Sequence, residues 1–317
     1  MAVYVNTNYS ALQGQRYLGN VQNSLTTTYQ RLSSGMRINS AKDDAAGLQI
    51  ADRLTSQING LNQGNRNASD GIALAQTAEA GMDEISGMLQ KIRTLAVQAN
   101  NGTNTVEDKK ALSKEATALA TEVNRIARQT TFAGKTILNG YQTNSIVSKP
   151  AGAQAPKDGD PQDMNLQVGS NKGDTISFKL GNMMFSKIAE GGKIGQNVGD
   201  IIKNNTSEFA KGNAGEITVN FSVADAPGKI IEYMDKMIGY VDGQRADLGA
   251  IQNRLESSIR NQSNVAANEA DARSRIRDAD FAEESANLSQ QSIIQQAAAS
   301  MLMQANTRPQ LGLSLLG

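Results

Sequence analysis

The placement of proline constrains the fold of this chain more than any other feature, because a proline inside a helix costs about 3 kcal/mol or more. The five prolines are Pro150, Pro156, Pro161, Pro227 and Pro309. Residues 1–149 and 228–308 contain none. Two long proline-free arms therefore flank a proline- and glycine-containing middle. We predict helical arms and a non-helical middle.

Apolar residues recur in both arms at alternating spacings of three and four. The clearest stripe is Met82, Ile85, Leu89, Ile92, Ala96 and Ala99, with an extension upstream to Ala51. In the second arm one register runs from Ile230 to Ile276, interrupted by polar residues such as Gln262. Heptads sustained over more than three repeats predict coiled-coil-like packing, rather than one amphipathic helix of an ordinary bundle.

The first stripe predicts one helix over 44–100 that ends in the turn Asn100-Asn101-Gly102, with Gly102 just past the helix end. Thr105 and Asp108 then have the spacing of a capping box, which predicts that a second helix starts there and returns antiparallel over 107–128. The fold class expected is mainly α. It is a long, antiparallel, coiled-coil-like helical rod with a β-hairpin and a small α/β or mainly-β insertion.

Both tails are nearly uncharged and carry narrow apolar stripes. The first acidic residue is Asp43, and after Glu284 the only charged residue is Arg308. A helix this sparse is marginal alone, so we predict that the tails pack against each other and against copies of the chain. The predicted packing residues are Leu18, Val21, Leu25, Leu32, Leu288, Ile294, Met301 and Leu302.

The middle alternates apolar and polar residues in two places. Residues 165–180 surround a glycine-bearing turn and predict a β-hairpin, and residues 216–223 predict another strand. Residues 142–163 are expected to form a loop, and 186–215 a small mixed segment.

Composition excludes several kinds of chemistry. The chain has no Cys and no His, so it cannot form a disulfide framework, a thiolate or Ser-His-Asp nucleophile, or a Cys- or His-based metal site. It has 31 Lys+Arg and 31 Asp+Glu, whereas a nucleic-acid binder normally has a basic surplus. No run approaches the ~20 apolar residues of a membrane span. We expect no catalytic, cofactor or metal site, no nucleic acid and no membrane insertion.

Three local motifs are weak candidates for ligand binding. Gly134-Lys135-Thr136 has the end of a phosphate-binding loop but lacks its first glycine, so an exposed turn is favoured. Asp43-Asp44 is interpreted as a helix-start cluster rather than a metal pair, because adjacent carboxylates on a helix diverge. The basic run around Arg275 is met by nearby acids and indicates a charge cluster, not a nucleic-acid contact.

Longer blocks resemble one known family. Residues 32–48 (LSSGMRINSAKDDAAGL) and 90–102 (QKIRTLAVQANNG) closely resemble the N-terminal signatures of bacterial flagellins. Residues 248–254 (LGAIQNR), 272–280 (ARSRIRDAD) and 313–316 (LSLL) resemble their C-terminal blocks. The resemblance covers about 1–140 and 228–317, plus the hairpin.

This resemblance implies a subunit that polymerises into the flagellar filament for swimming motility. Residues 1–44 and 278–317 would form an inner-tube coiled-coil domain. Residues 45–180 and 228–277 would form a rod-like outer-tube domain that includes the hairpin. Residues 181–227 would be a reduced variable outer domain.

The resemblance also implies an extracellular location and several partners. The chain has no signal peptide pattern near Arg16, so export unfolded through the flagellar apparatus, without a cleaved signal, is expected. Other implied partners are a cytoplasmic chaperone on the C-terminal helix, and the cap and junction proteins of the filament.

Many flagellins are bound by the innate immune receptor TLR5, which makes a host receptor a further implied partner. The matching positions here are Lys91, Leu95, Gln98, Glu115 and Ile276. Lys91 stands in place of an Arg, which removes a planar bidentate donor.

Three alternatives stay open at this stage. A hook–filament junction protein has similar terminal signatures, but the intact block at 41–47 and the C-terminal match disfavour it. An enzyme would need a catalytic insertion in the middle, where no His-bearing motif exists. A protein bound to the membrane surface would need helical faces rich in Lys and Arg.

Overall fold

The computed structural model describes residues 7–142, 144–146, 161–192, 194, 209–211, 217–223 and 225–314. The helices there are α1 (Tyr9–Ser34), α2 (Ala45–Ala99), α3 (Val106–Gln129), α4 (Phe185–Gly191), α5 (Ala226–Arg277) and α6 (Phe281–Ser314). The strands are β1 (Thr131–Phe132), β2 (Lys135–Thr136), β3 (Gln162–Gln167), β4 (Thr175–Leu180), β5 (Phe209–Lys211) and β6 (Ile217–Val219). The predicted mainly α fold is confirmed.

Helix α2 confirms the stripe prediction. Its residues from Met82 to Ala99 at the three-and-four spacing are at most 1% exposed. The helix begins after Asp44, whose Oδ1 accepts a hydrogen bond from the Gly47 N–H at 2.9 Å. The Asp43-Asp44 pair thus marks a helix start, as the sequence predicts.

The end of α2 differs from the prediction in one respect. The helix ends at Ala99, but Gly102 does not have the positive φ of a left-handed glycine cap. The Gln98 carbonyl instead accepts from the Asn104 side-chain amide at 2.5 Å and from the Asn101 N–H at 3.2 Å. A polar side chain satisfies the orphan carbonyl, so no left-handed residue is needed there.

Helix α3 begins with the predicted capping box. The Thr105 hydroxyl accepts from the Asp108 N–H, and the Asp108 carboxylate accepts from the Thr105 N–H at 2.9 Å. The Thr105 hydroxyl donates to that carboxylate as well, and this bond is the main cause of a lowered pKa for Asp108.

Acid should therefore loosen the start of α3. A lowered folded-state pKa means that the stabilisation by Asp108 is present above the unfolded pKa of about 4 and is lost as the pH falls through the folded value. Thr105→Ala should weaken the helix start by about 1 kcal/mol at neutral pH. Hydrogen exchange of the first-turn amides measures both effects. Equal protection in the wild type and the variant would contradict the prediction.

The described chain separates into two compact units. One unit contains residues 1–59 and 264–317, and so holds α1, α6 and one end each of α2 and α5. The other contains residues 60–263, with the remainder of α2 and α5, α3 and all the strands. We call them the terminal unit and the central unit.

The core of the central unit is built mainly from the seams of α2, α3 and α5. Aliphatic residues and methionines fill these seams. Three of the few aromatics, Phe178, Phe185 and Phe221, are also buried there, and all three come from the middle of the sequence. The middle thus completes the helical core.

The middle contains the predicted hairpin with a shifted start. Strands β3 and β4 pair antiparallel, with Gln162 opposite Leu180 and Gln167 opposite Thr175. Residues 162 and 163, expected in a loop, belong to β3, where the Asp163 N–H donates to the Tyr141 hydroxyl at 3.1 Å. Of the expected loop over 142–163, residues 143 and 147–160 lie outside the described residues.

Two further predictions concern the other strand pairs. Gly134-Lys135-Thr136 is part of a tight antiparallel hairpin, since Ala133 and Gly134 have φ values of 49° and 77° and Phe132 pairs with Lys135. This confirms a turn rather than a phosphate loop. Within the described part of the strand expected over 216–223, which begins at Ile217, only Ile217–Val219 form β6, and these three residues pair with β5.

The hairpin packs directly on the backbone of α2. A methyl group added at Gly64 would lie 2.0 Å from the Val168 carbonyl oxygen, and one at Gly60 would lie 2.7 Å from Ser170 Cβ. The Asn67 side-chain amide also donates to the Gln167 carbonyl at 2.9 Å. Glycine is therefore required where the hairpin approaches the helix.

Candidate self-assembly surface

The terminal unit pairs α1 with α6 in antiparallel fashion. The Asn8 side-chain amide donates to the Ala305 carbonyl at 2.8 Å, and the Thr28 hydroxyl donates to Gln291 Oε1 at 3.2 Å. Residue numbers fall along α6 as they rise along α1, which confirms the predicted pairing of the two tails.

A short connection at one end of the pair fixes its register. The carbonyl of Arg277 accepts hydrogen bonds from the N–H groups of Arg37 and Ile38, at 2.7 and 3.3 Å. The Ala279 N–H donates to the carbonyl of Gly35, which has the left-handed conformation that ends α1. Backbone bonds thus tie the segment after α1 to the segment between α5 and α6.

A buried carboxylate lies near this end. Glu284 is only 7% exposed, and its Oε1 accepts from Arg31 Nη1 at 3.1 Å. Because its partner is on the other helix, this ion pair helps to fix which turns of α1 and α6 face each other.

Arg31→Ala should loosen the pair, because it leaves a buried carboxylate without its cation. The expected cost is about 2 kcal/mol, and hydrogen exchange of the α6 amides measures it. The control is Arg93→Ala, which removes an ion pair to Asp235 whose side chains are both largely exposed and should leave exchange unchanged. Equal α6 protection in Arg31→Ala and the wild type would contradict the prediction.

The eight predicted packing residues are all on the paired helices α1 and α6, and they differ in exposure. Val21 is buried, and Met301 is 69% exposed. The other six, Leu18, Leu25, Leu32, Leu288, Ile294 and Leu302, are half-buried. Seven of the eight are therefore buried or half-buried within the single chain, and their packing between copies of the chain stays a prediction.

Eight large apolar side chains of α1 and α6, Met301 among them, are exposed to solvent. They are Tyr9, Leu12, Tyr17, Tyr29, Phe281, Ile293, Met301 and Met303, each between 49% and 69% exposed. Of these, only Met301 is among the predicted packing residues, because a stripe follows a single face of a helix. The signal that indicates the others is the scarcity of charge on every face of both tails.

An open cleft of about 920 Å³ follows one side of the seam between α1 and α6. Tyr17 lines it from α1, and Ile294 and Met301 line it from α6. Small residues such as Gly14 and Ala298 form much of its remaining wall. Its shape and lining suit an apolar side chain or helix rather than a charged ligand.

Among the described residues, no group of three or more Asp or Glu side chains is arranged to hold a metal ion. Asp43 instead accepts from the Ser40 N–H at 2.9 Å and from the Ser40 hydroxyl at 3.1 Å, and these bonds lower its pKa. No described helix combines the length and apolarity that crossing a membrane requires.

Comparison with known proteins matches both arms to one family. Residues 5–143 match the model of the bacterial flagellin N-terminal helical region, and residues 231–316 match that of the flagellin C-terminal helical region. Polar flagellin C of Vibrio parahaemolyticus is 36% identical, and flagellin D of Vibrio anguillarum is 38% identical. In both comparisons the whole of each chain is covered.

The chain belongs to the bacterial flagellin family. It is a structural subunit of the flagellar filament, and its role is in motility. These matches give a hook–filament junction protein no better support than a filament subunit. A solved protein of V. parahaemolyticus described as a flagellar hook-associated protein has a TM-score of 0.53 and 15% identity, with 74% of this chain and all of that one covered. That likeness shows a shared fold only.

The flagellin relatives are longer than this chain. The alignment with polar flagellin C spans 383 positions, whereas this flagellin has 317 residues. The two family models leave residues 144–230 unmatched. This unmatched stretch contains most of the residues that the structure does not describe.

The predicted receptor positions of this flagellin are divided between the units. Lys91, Leu95, Gln98 and Glu115 lie in the central unit, and Ile276 lies in the terminal unit. Lys91, Gln98 and Glu115 are exposed, and Leu95 is half-buried against the core. Ile276 is half-buried, and its carbonyl accepts from Arg37 Nη2 at 2.6 Å. Their role in receptor binding stays a prediction.

Proposed function

We propose that the α1–α6 pair is the surface through which copies of this flagellin pack into the filament. One observation carries the proposal: a nearly uncharged pair of helices exposes eight large apolar side chains. Burying such surface against a copy is favourable at about 25 cal/mol per Å². The predicted packing residues and the exposed apolar residues both contribute to this surface.

The layered arrangement is part of the same proposal. Residues 1–44 and 278–317 form the inner layer, and residues 45–180 and 228–277 form the outer-tube layer. The stretch 181–227 is a reduced outer domain. The greater length of the relatives and the absence of a family match over 144–230 support a shortened middle.

A pair of substitutions on α6 tests the packing surface. Ile293→Asp places a charge at a 67% exposed apolar position, and Gln290→Asp places the same charge at an exposed polar position. Ile293→Asp should raise the critical concentration for filament growth at least about tenfold, since losing a buried Ile costs about 1.5–3 kcal/mol. Gln290→Asp should raise it far less.

Pelleting and electron microscopy measure this growth, and thermal unfolding of the central unit controls for folding. Equal critical concentrations in the two variants would contradict the proposed surface. Seeded growth of the wild-type chain into long filaments is also expected, whereas a junction protein would not elongate.

The exposed apolar residues of the terminal helices also support a proposal for export and assembly partners. An unpaired α6 exposes apolar residues, which a cytoplasmic chaperone would cover before export, and cap and junction proteins would hold the ends of the growing filament. We propose secretion without a cleaved signal, through the flagellar export apparatus. In cells that lack this apparatus the chain should stay inside and keep its full mass. Extracellular chain from such cells would contradict the route.

Recognition by TLR5 is a separate proposal that depends on the central unit. Lys91 and Gln98 lie on one exposed face of α2, and Leu95 lies between them. A reporter assay with depolymerised protein tests it, and Gln98→Ala should weaken the response more than the control Gln90→Ala on another face of α2. No response to the wild-type protein would overturn it.

A structural rather than a catalytic role is proposed throughout. The composition supports it, because the chain has neither Cys nor His. Hydrolase activity that copurifies with the homogeneous chain would contradict it.

A further inference from the structure

The methionines of this chain divide sharply by exposure. The sequence contains 11, of which Met1 lies outside the described residues. Met82, Met183, Met234 and Met237 are at most 1% exposed in the core of the central unit. Among the described methionines, only Met301 and Met303 have exposed side chains, at 69% and 66%. Both are on α6.

These two side chains flank the seam between α1 and α6. Leu302 lies between them and faces α1, where a methyl added at Gly14 would be 3.2 Å from its Cδ1. Successive residues of a helix diverge by about 100°, so the two thioethers lie on opposite sides of Leu302. Met301 also lines the open cleft beside Tyr17 and Ile294.

We propose that Met301 and Met303 are modification sites at which peroxide controls self-association. This inference rests on the proposed packing role of the α1–α6 pair. In the reaction the thioether sulfur attacks one peroxide oxygen, a sulfur–oxygen bond forms, and the oxygen–oxygen bond breaks. Sulfur loses two electrons, the peroxide is reduced, and water leaves. The product is methionine sulfoxide.

The consequence follows from the polarity of the new group. A sulfoxide converts a flexible apolar side chain into a polar one, and burying a polar group without a partner is costly. After Glu284 the only charged residue is Arg308, so contacts of this part of α6 with a copy of the chain would include few ion pairs and would depend mainly on apolar burial. Packing against a copy should also shield both thioethers, so the unassembled chain is the sensitive form.

The first experiment maps the modification. Soluble full-length chain is treated with increasing hydrogen peroxide and analysed by peptide mass spectrometry. Met301 and Met303 should be oxidised first, while Met82, Met183, Met234 and Met237 stay unmodified and thermal unfolding of the central unit is unchanged. Oxidation of the buried methionines at the same rate would overturn the assignment of the sites.

The second experiment measures assembly. The chain oxidised at both positions should have a critical concentration raised about tenfold, which corresponds to the loss of about one buried apolar group. Reduction by the two methionine sulfoxide reductases should restore the original value. An unchanged critical concentration after oxidation, or a loss that reduction does not reverse, would overturn the inference.

Two variants locate the effect. In Met301→Leu/Met303→Leu, peroxide should leave that variant's own critical concentration unchanged, whatever its value. The matched variant Met36→Leu/Met88→Leu replaces two half-buried methionines and should remain as sensitive as the wild type. If peroxide raised the critical concentration of Met301→Leu/Met303→Leu but not that of Met36→Leu/Met88→Leu, the sensitive residues would not be Met301 and Met303, and the inference would be overturned. If the untreated wild type forms no filament at all, the proposed function fails first and the inference falls with it.

Discussion

Deleting residues 285–317 should abolish filament formation and leave the central unit folded. The deletion removes all but the first four residues of α6, and with them the hydrogen bonds of Thr28 to Gln291 and of Asn8 to Ala305. The core of residues 60–263 contains no residue of α6, so its cooperative thermal unfolding should persist. Electron microscopy measures the first outcome, and circular dichroism measures the second.

A second deletion separates the loss of the packing surface from aggregation of the truncated chain. The truncated chain exposes the apolar face of an unpaired α1 and can aggregate for that reason. A chain that lacks both 1–44 and 285–317 removes the unpaired helix, and it should be soluble, folded and unable to form filaments. Normal filaments from either chain would show that the terminal helices are not the packing surface.

Replacing Gly64 with alanine should destabilise the central unit by about 2–3 kcal/mol. The added methyl would lie 2.0 Å from the Val168 carbonyl oxygen and 2.7 Å from its carbonyl carbon. These are backbone atoms, so either the hairpin or α2 must shift, which is the usual cost of overpacking. The Asn67–Gln167 hydrogen bond would be displaced with the hairpin.

Gly87→Ala is the matched control in the same helix. Gly87 is exposed, and a methyl added there meets no atom within 4 Å. Because alanine restricts the unfolded chain and favours a helix, this variant should be more stable by about 0.5–1 kcal/mol. Urea unfolding of both variants should give shifts of opposite sign. Shifts of the same sign would contradict the close approach of the hairpin.

The long helices were predictable because their signals are local and repeated. The stripe from Met82 to Ala99, the Thr105–Asp108 capping box and the absence of proline all point to the same structure. The pairing of the two tails was also predictable, though not its direction, since each tail has too narrow a stripe to be stable alone.

Other features depend on contacts that no local pattern contains. Gly102 was expected to lie just past the end of α2, in the position of a capping glycine, but its φ is not positive and the Asn104 side-chain amide binds the Gln98 carbonyl instead. From the sequence alone, Gly64 is only a residue that weakens a helix. The structure shows that the hairpin lies directly against it, which no local pattern indicates. The exposed Ile293 and Met303 belong to no heptad register, so a search for stripes passes over them.

The hydrogen bond between Asn8 and Ala305 joins residues 297 positions apart. A helix pair closed over such a separation must wait until nearly the whole chain is available, whereas the capping box of α3 closes within three residues. Contacts of high sequence separation form slowly, since the entropy of closing the loop is lost before the contacts form. The terminal pair should therefore be the last part of the molecule to fold. Until α6 docks, α1 has no partner helix in its own chain. Its apolar face is then exposed and can bind another protein or another copy of the chain.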